Sequence, residues 1–464
     1  MTSLSFDLLL KLDRASPLSL GRQIQAQLRD AIRAGSLHPG VVLPSTRTLA
    51  TDLGISRPVV LEAYDQLAAE GYLLTRPGAR PVVAYVAAPS SPPGTAHVAT
   101  QTSPIRYDLR SSTPDLSMFP RKGWLKALRH AIETMPAPAF GYDGRHGTSA
   151  LRSTLAEYLG RVRGVITSAE RIIVTSGFAE ARALACAVLK SAGVDRLGVE
   201  DPSYSAWQTV DQAGLARIAI AVDEDGIVVD ELERSAVQAV FVTPAHQFPT
   251  GVVLTKDRRR ALVDWLHGRG AYAFEDDYDA EFRYDQNPVG ALQGLAPDRI
   301  FYAGTVSKTL APALRLGWLV VPAEHLEAAM SEQLRWNEGS PRIDQNALAA
   351  FIDSGDYDRH LRMMRRTYRA RRDLLTQLIA EHLPHVTVNG IAAGLHATLS
   401  LPEGIDEAEI CAAAGRRGVA IEGLKKYRLS IAGPPGLLLG YGGVSESDLR
   451  VAIRIIAESI ANFR

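Results

Sequence analysis

Apolar residues at Ile24, Leu28, Ala31 and Ile32 recur at helical spacing, and Gly35 closes the run. Pro44 and Ser45 begin a second, shorter helix in which Ser45 caps the start and Leu49, Ala50 and Leu53 face inward. Gly54 supplies a turn, and Ser56 caps a third helix running to about Glu70, with Val60, Tyr64 and Leu67 along one side. After Gly71 the helical period gives way to two short apolar pieces, Tyr72-Leu73-Leu74 and Val82-Val83-Ala84, which predict a hairpin. From Tyr107 onward the pattern changes again. Helical stretches alternate with short β-branched runs at 171–174, 239–242 and 271–274. That alternation predicts an α/β architecture with a largely parallel sheet, whose ligands gather at the carboxyl ends of the strands.

Between the two patterns lies a stretch with neither. Residues 87–106 are dominated by Pro, Ser, Thr, Ala and Gly, and only Arg106 is charged. Its prolines favour extended backbone and, polyproline-like throughout, the run would reach roughly 60 Å at ~3.1 Å per residue. A structureless run of this length is unusual inside a compact domain, so it reads as a linker. The expected division is a first domain over 1–84, a linker over 85–106 and a larger domain over 107–464.

Composition narrows the function classes. The 464 residues are 46% hydrophobic and 22% charged, the make-up of globular domains with ordinary cores. Two cysteines, Cys186 and Cys411, make no disulfide framework and fit a reducing cytoplasm. No stretch approaches the ~20 apolar residues of a membrane span, and Asp7 with the short run Leu8-Leu9-Leu10 does not make a signal peptide. Lys plus Arg and Asp plus Glu each number 51, giving a formal net charge of zero. Residues 1–85 hold nine basic and seven acidic side chains, so even this part is only slightly basic. The balance excludes indiscriminate nucleic-acid binding and leaves room for binding through a few placed arginines.

Three helices and a hairpin are the layout of a winged helix-turn-helix. The details resemble the DNA-binding domain of GntR-type bacterial regulators: Gly35-x-Leu37-x-Pro39-Gly40, Leu43-Pro44-Ser45 with Arg47, Leu49 and Ala50, Gly54-x-Ser56-Arg57, and Tyr64-x-x-Leu67 ahead of Glu70-Gly71-Tyr72. Ser56 and Arg57 fall at the start of the recognition helix, where free amides meet phosphate and an arginine reaches guanine bidentately. Arg47, one helix earlier, is expected to hold the phosphate backbone, and Arg76 and Arg80 flank Gly78 as a wing entering the minor groove requires. Val59 and Ala79 stand where that family often has polar residues, so base specificity does not transfer from relatives.

Four strand ends of the larger domain carry chemistry. Thr175-Ser176-Gly177-Phe178 opens a helix, whose free amides suit phosphate. Tyr204 follows Glu200-Asp201-Pro202-Ser203 and brings an aromatic ring to the same edge. Glu275-Asp276-Asp277-Tyr278-Asp279-Ala280-Glu281 is a dense acidic run that needs a cationic partner or a metal. Gly304-Thr305-Val306-Ser307-Lys308 is followed seven residues later by Arg315. Together these resemble fold type I aminotransferases, over nearly all of 107–464. The resemblance implies that pyridoxal 5'-phosphate (PLP) forms a Schiff base with Lys308, with Asp276 on the ring nitrogen, Tyr278 on the ring hydroxyl and Tyr204 stacked on its face. Thr305, Ser307, Arg315 and the amides of Gly177 and Phe178 would hold the phosphate, and Tyr142 would reach the phosphate of a partner subunit. No metal is implied.

Active aminotransferases usually carry Asn before the Pro of an Asn-Pro-x-Gly turn; here Phe248 takes that place in His246-Gln247-Phe248-Pro249-Thr250-Gly251, with His246 or Gln247 as substitutes. This run, the acidic run and the lysine motif look like the MocR/GabR family, which joins a GntR-type winged helix to an aminotransferase-like domain by a long linker. The resemblance implies a cytoplasmic, PLP-dependent transcriptional regulator that binds operator DNA as a head-to-tail homodimer and senses an amino compound or PLP itself. The rival reading is a slow or working aminotransferase with an accessory DNA-binding domain, and a third is a DNA-binding module on a dead dimerisation scaffold. Arg428 is the candidate for an effector carboxylate, with Arg416 and Arg417 as alternatives. In the resemblance, the GABA-sensing branch carries an arginine shortly after the stacking tyrosine where this chain has Ser205 and Ala206, which argues against GABA itself.

Overall fold

The structure, a computed structural model, describes residues 10–76, 78–85, 105–111, 113–141, 146–204, 207–284, 289–336, 340–430 and 432–461. The chain divides into two compact units, Met1–Gln101 and Thr102–Arg464. Of the expected linker only Tyr85, Ile105 and Arg106 lie among the described residues, and Tyr142, Ser205 and Ala206 lie outside them.

In the first unit, helices Leu20–Arg33, Thr46–Leu53 and Arg57–Ala69 lead into an antiparallel hairpin of Leu73–Leu74 with Val82–Val83. Ile24, Leu28, Leu49, Val60, Tyr64 and Leu67 are buried together, so the helical period selected the core correctly. The Ser45 hydroxyl accepts the Thr48 amide at 3.1 Å. Gly54, at φ 61°, ends the second helix in the left-handed conformation that glycine tolerates. Ser56 stands at the N-cap of the third helix but its side chain makes no cap bond. The reason is local: Pro58 has no N–H to offer, and the Val59 amide already donates to the Ser56 carbonyl.

The second unit is built on an eight-stranded sheet in the order 172–175, 317–320, 300–305, 272–277, 239–242, 196–201, 216–223, 226–227. All strands run the same way except Gly317–Val320 and Gly226–Ile227, which pair antiparallel with their neighbours. Helices cover both faces; Phe178–Ser191 packs Leu184, Ala185, Val188 and Leu189 on one, and Lys256–Arg269 packs Leu262, Trp265 and Leu266 on the other. A smaller antiparallel sheet of 387–389, 396–400, 436–440 and 422–423 follows, backed by the 27-residue helix Asp356–His382 and by Glu446–Ala461. The carboxyl ends of the parallel strands, at Thr175, Asp201, Val242, Asp277 and Thr305, share one edge of the large sheet.

The acidic strand extends further than its apolar run predicts. Tyr272–Asp277 carries Glu275, Asp276 and Asp277 inside the strand, so successive side chains alternate between faces. Glu275 and Asp277 fall on one face and Asp276 on the other, which separates the cluster into a structural half and a half available to a ligand.

Candidate functional site

A cavity of about 590 Å³ opens at that edge. Its walls include Phe178, Tyr204, Asp276, Tyr278, Thr305, Ser307, Lys308 and Arg315, eight residues expected from the sequence, together with Arg182, Phe248, Arg110, Lys426 and Tyr427. Lys308 lies in the turn after strand Ile300–Thr305. Enclosure by the protein lowers its ammonium to about 8, with Asp279 and Asp276 opposing the shift. An appreciable fraction of Lys308 is therefore the neutral, nucleophilic amine near neutral pH.

One end of the cavity is shaped for an anion. The Ser307 amide donates to Thr305 Oγ1 at 3.2 Å, and the two hydroxyls lie 2.9 Å apart. Gly177 (φ 92°) precedes helix Phe178–Ser191, whose first-turn amides have no intrahelical acceptor. A Cβ on Gly177 would meet the Arg315 guanidinium at an ordinary contact distance of 3.4 Å, so the positive φ rather than crowding favours glycine there, and the arginine lies close to the helix start. Arg315 itself holds φ 51°, the one non-glycine residue with positive φ among those described. Such a conformation costs about 1–3 kcal/mol and persists where the surroundings fix it.

The carboxylates divide as the strand geometry dictates. Asp277 Oδ2 accepts from Arg163 Nε at 2.7 Å and from Tyr302 Oη at 2.7 Å, all buried. Arg163, from the end of helix Ser149–Arg163, is the cation that the acidic run called for; no sequence proximity announced it. Glu275 accepts the Leu292 and Gln293 amides at 2.8 Å each, while burial and Asp277 push its carboxyl up to about 7. Asp276 is 8% exposed, and its Oδ1 has no hydrogen-bond partner among the described residues. Burial, then Asp277, raises it well above the usual carboxylate range.

Two sequence expectations are corrected. His246 does not line the cavity. It is buried, with Nδ1 2.9 Å from Asp279 Oδ2 and Nε2 3.2 Å from the Gly390 carbonyl oxygen, and Tyr278 Oη lies 3.2 Å from the same Nδ1. Gln247 likewise turns inward, donating to Glu200, Pro202 O and Phe248 O. Phe248 alone of the three reaches the cavity, where its ring meets Tyr204, Tyr278 and Tyr427 edge-on. Arg428 also misses: its guanidinium donates to Pro434 O, held there by the turn that packs it over Gly433. No sequence signal pointed to His396, which lies 4.8 Å ring to ring from His246; burial and then His246 push its imidazole well below the usual histidine range.

On the side of the small sheet the cavity's cations are already paired. Arg110 binds Asp108 through two bonds of 2.9 and 2.6 Å, and Lys426 binds Glu422 at 2.6 Å. Glu422 also accepts from Tyr427 Oη at 2.8 Å. A strap joins this side to the large sheet. Asp201 accepts the amides of Leu429 (2.9 Å) and Ser430 (2.8 Å), and the Ser203 amide donates to Tyr427 O at 2.9 Å.

In the first unit Arg47, Ser56, Arg57, Arg76 and Arg80 are all exposed. Arg57 Nε donates to Thr46 Oγ1 at 3.2 Å, which steadies its guanidinium at the start of the third helix.

Comparison with known proteins agrees with both units. Residues 20–83 match the bacterial regulatory proteins of the gntR family, and residues 111–398 match aminotransferase class I and II. The chain is 34% identical to the HTH-type pyridoxine biosynthesis transcriptional regulator PdxR of Corynebacterium glutamicum, covering 98% of this chain and 99% of that one. It is 32% identical to the probable rhizopine catabolism regulatory protein MocR of Rhizobium meliloti, over 96% and 94% of the two chains. Among solved structures, an archaeal alanine:glyoxylate aminotransferase superposes with a TM-score of 0.71 at 25% identity, covering 77% of this chain and 91% of that one. The kynurenine aminotransferase of Pyrococcus horikoshii gives 0.71 at 26%, over 78% and 92%.

Proposed function

The chain belongs to the MocR-type transcriptional regulators, with a GntR helix-turn-helix domain ahead of a class I and II aminotransferase domain, and on that premise we propose that it regulates transcription by binding PLP at Lys308 and coupling that event to operator DNA. In this reading residues 1–84 bind DNA, 85–106 link, and 107–464 sense, in a head-to-tail homodimer. Exposed Leu125, Ile132 and Phe140 on the sensing part favour self-association.

The observation that carries the cofactor reading is the buried, unpartnered Oδ1 of Asp276, a residue that lines a cavity shared with a lysine amine and an anion site. Thr305, Ser307, Arg315 and the helix start at Gly177–Phe178 would hold a phosphate, Tyr204 would cover a ring face, and Asp276 would accept from a ring N–H. When bound, PLP supplies an aldehyde that a primary amine captures. Lys308 presents that amine, and Phe248 keeps water from the ring edge where aminotransferases place an asparagine.

The mouth favours PLP itself as the signal over an amino acid. A carboxylate entering there meets Asp108 and Glu422 as well as their paired cations, and Arg428 faces away. The regulator from Corynebacterium, by its name, controls pyridoxine biosynthesis, which fits such a signal.

Fluorescence anisotropy with operator DNA at fixed salt, with and without PLP, tests this. PLP alone is expected to change affinity by about fivefold or more, the usual scale of coupling between two sites. No response to PLP, followed by a response when amino acids join it, would transfer the role to an amino compound. In the same assay Arg57→Ala should weaken specific binding roughly 10- to 100-fold while non-specific binding changes little. Equal losses on both DNAs would make Arg57 a backbone contact.

A further inference from the structure

Helix Arg57–Ala69 buries Val60, Ala63, Tyr64 and Leu67, and the other side of its first half carries Arg57, Pro58, Leu61, Glu62 and Asp65, all exposed. Leu61 is 45% exposed, on the helix that a GntR-type domain turns toward DNA. It stands four positions after Arg57, hence on the same face, and a helical side chain leans toward the N-terminus of its own helix. Leu61 therefore lies toward the turn that Arg57 and Pro58 begin, the part of a recognition helix that meets base edges.

Packing accounts for the nearby Val59 and not for Leu61. Val59 rests against Gly21 at the start of helix Leu20–Arg33, its Cγ1 3.6 Å from the place a Cβ there would take, and it joins the rim of the first unit's core. Among the described residues, Leu61 belongs neither to that core nor to its rim. A single exposed leucine is ordinary on a protein surface, so its place on this face is what matters. Charge narrows what it can meet. After Arg57 the helix offers no second cation, and Glu62 and Asp65 repel phosphate. This stretch suits bases rather than backbone. In the major groove the bases present one apolar group, the C5 methyl of thymine, and an aliphatic side chain recognises it by contact.

We propose that Leu61 is a specificity-determining residue that packs on a thymine methyl in the major groove, beside the base that Arg57 meets, so that the preferred operator carries a T·A pair there. The inference rests on the reading of residues 1–84 as the DNA-binding domain and adds to it the chemistry of one base position. Cytosine has no such methyl, so a C·G pair at that position leaves the leucine without a partner.

The test uses the full chain and a duplex that it selects from random-sequence DNA, with each thymine in turn replaced by deoxyuridine, which keeps every hydrogen-bonding group and lacks only the methyl. Fluorescence anisotropy at fixed salt should show a position at which the wild type loses about three- to fivefold in affinity, the scale of burying one carbon. At that position 5-methylcytosine should bind more tightly than cytosine. L61A should bind the thymine and uracil duplexes equally, with an unchanged thermal midpoint because the site is exposed, and L61M should keep the difference. A wild type indifferent to the methyl at every position overturns the inference, as does an L61A that retains the uracil penalty; DNA binding by this domain stands in both cases. A chain that selects no sequence at all overturns the DNA-binding reading with it.

Discussion

Lys308→Ala abolishes the visible band of the PLP-loaded protein and lets the ligand wash off on gel filtration, while the fold survives. The effect is all-or-none because Lys308 is the lysine in a turn fixed on both sides, by Thr305 and Ser307 before it and by the left-handed Arg315 after it. Its amine is lowered to about 8, so covalent capture proceeds near neutral pH, where an ordinary surface lysine is almost wholly protonated. What remains in the variant is a phosphate cradle without a bond, which binds reversibly and without the spectral signature. Removing the side chain leaves a space open to the cavity rather than a sealed void, so thermal stability should fall by little. A Lys308→Ala protein that keeps the band would point to another amine, and Lys426 at the mouth is the first to replace next.

Arg163→Met, by contrast, is expected to destabilise the second unit by about 3–5 kcal/mol, the scale on which removing one partner strands a buried charge. Arg163 and Asp277 are 5% and 3% exposed, and Arg163 also donates to Val289 O at 2.7 Å. Deleting the cation leaves Asp277 beside Glu275 and Glu281 with, among the described residues, only Tyr302 Oη to serve it. The midpoint of urea unfolding, followed by tryptophan fluorescence of the full chain, measures the loss. Arg163→Met combined with Asp277→Leu should recover most of it, since the pair taken out together leaves no charge behind. A single variant as stable as wild type would mean that water reaches Asp277.

What the chain announces in one dimension and what it conceals differ in a physical way. Lys308, Asp276, Tyr278 and Tyr204 sit just after or at the ends of strands, and a parallel sheet brings all such ends to one edge; strand-end position together with the resemblance to fold type I aminotransferases, which added Arg315, made their convergence legible. Arg428 was not. It follows the short turn Leu424–Tyr427, and whether a side chain after such a turn enters the cavity depends on its packing against Gly433, which no local pattern encodes. His246 was misplaced for a similar reason: within three residues, His246 and Gln247 turn inward and only Phe248 reaches the cavity. Arg163 stands 114 positions from Asp277, and the acidic run implied its existence without its address. Arg182 did leave a trace, an arginine among Ala181, Leu184 and Ala185 where the helical period calls for an apolar residue.

The strap through Asp201 and Ser203 bears on how news of the ligand leaves the pocket. The segment that ends in Tyr204 is bonded at three amide contacts to the segment carrying Tyr427, Leu429 and Ser430. The Tyr204 wall of the cavity and the rim of its mouth are thus one mechanical piece. A molecule that tilts the wall drags the rim with it, and one that pushes the rim disturbs the wall. The strap carries the message and leaves the grip to the phosphate end and Lys308, so a variant that severs it should bind as before and report nothing.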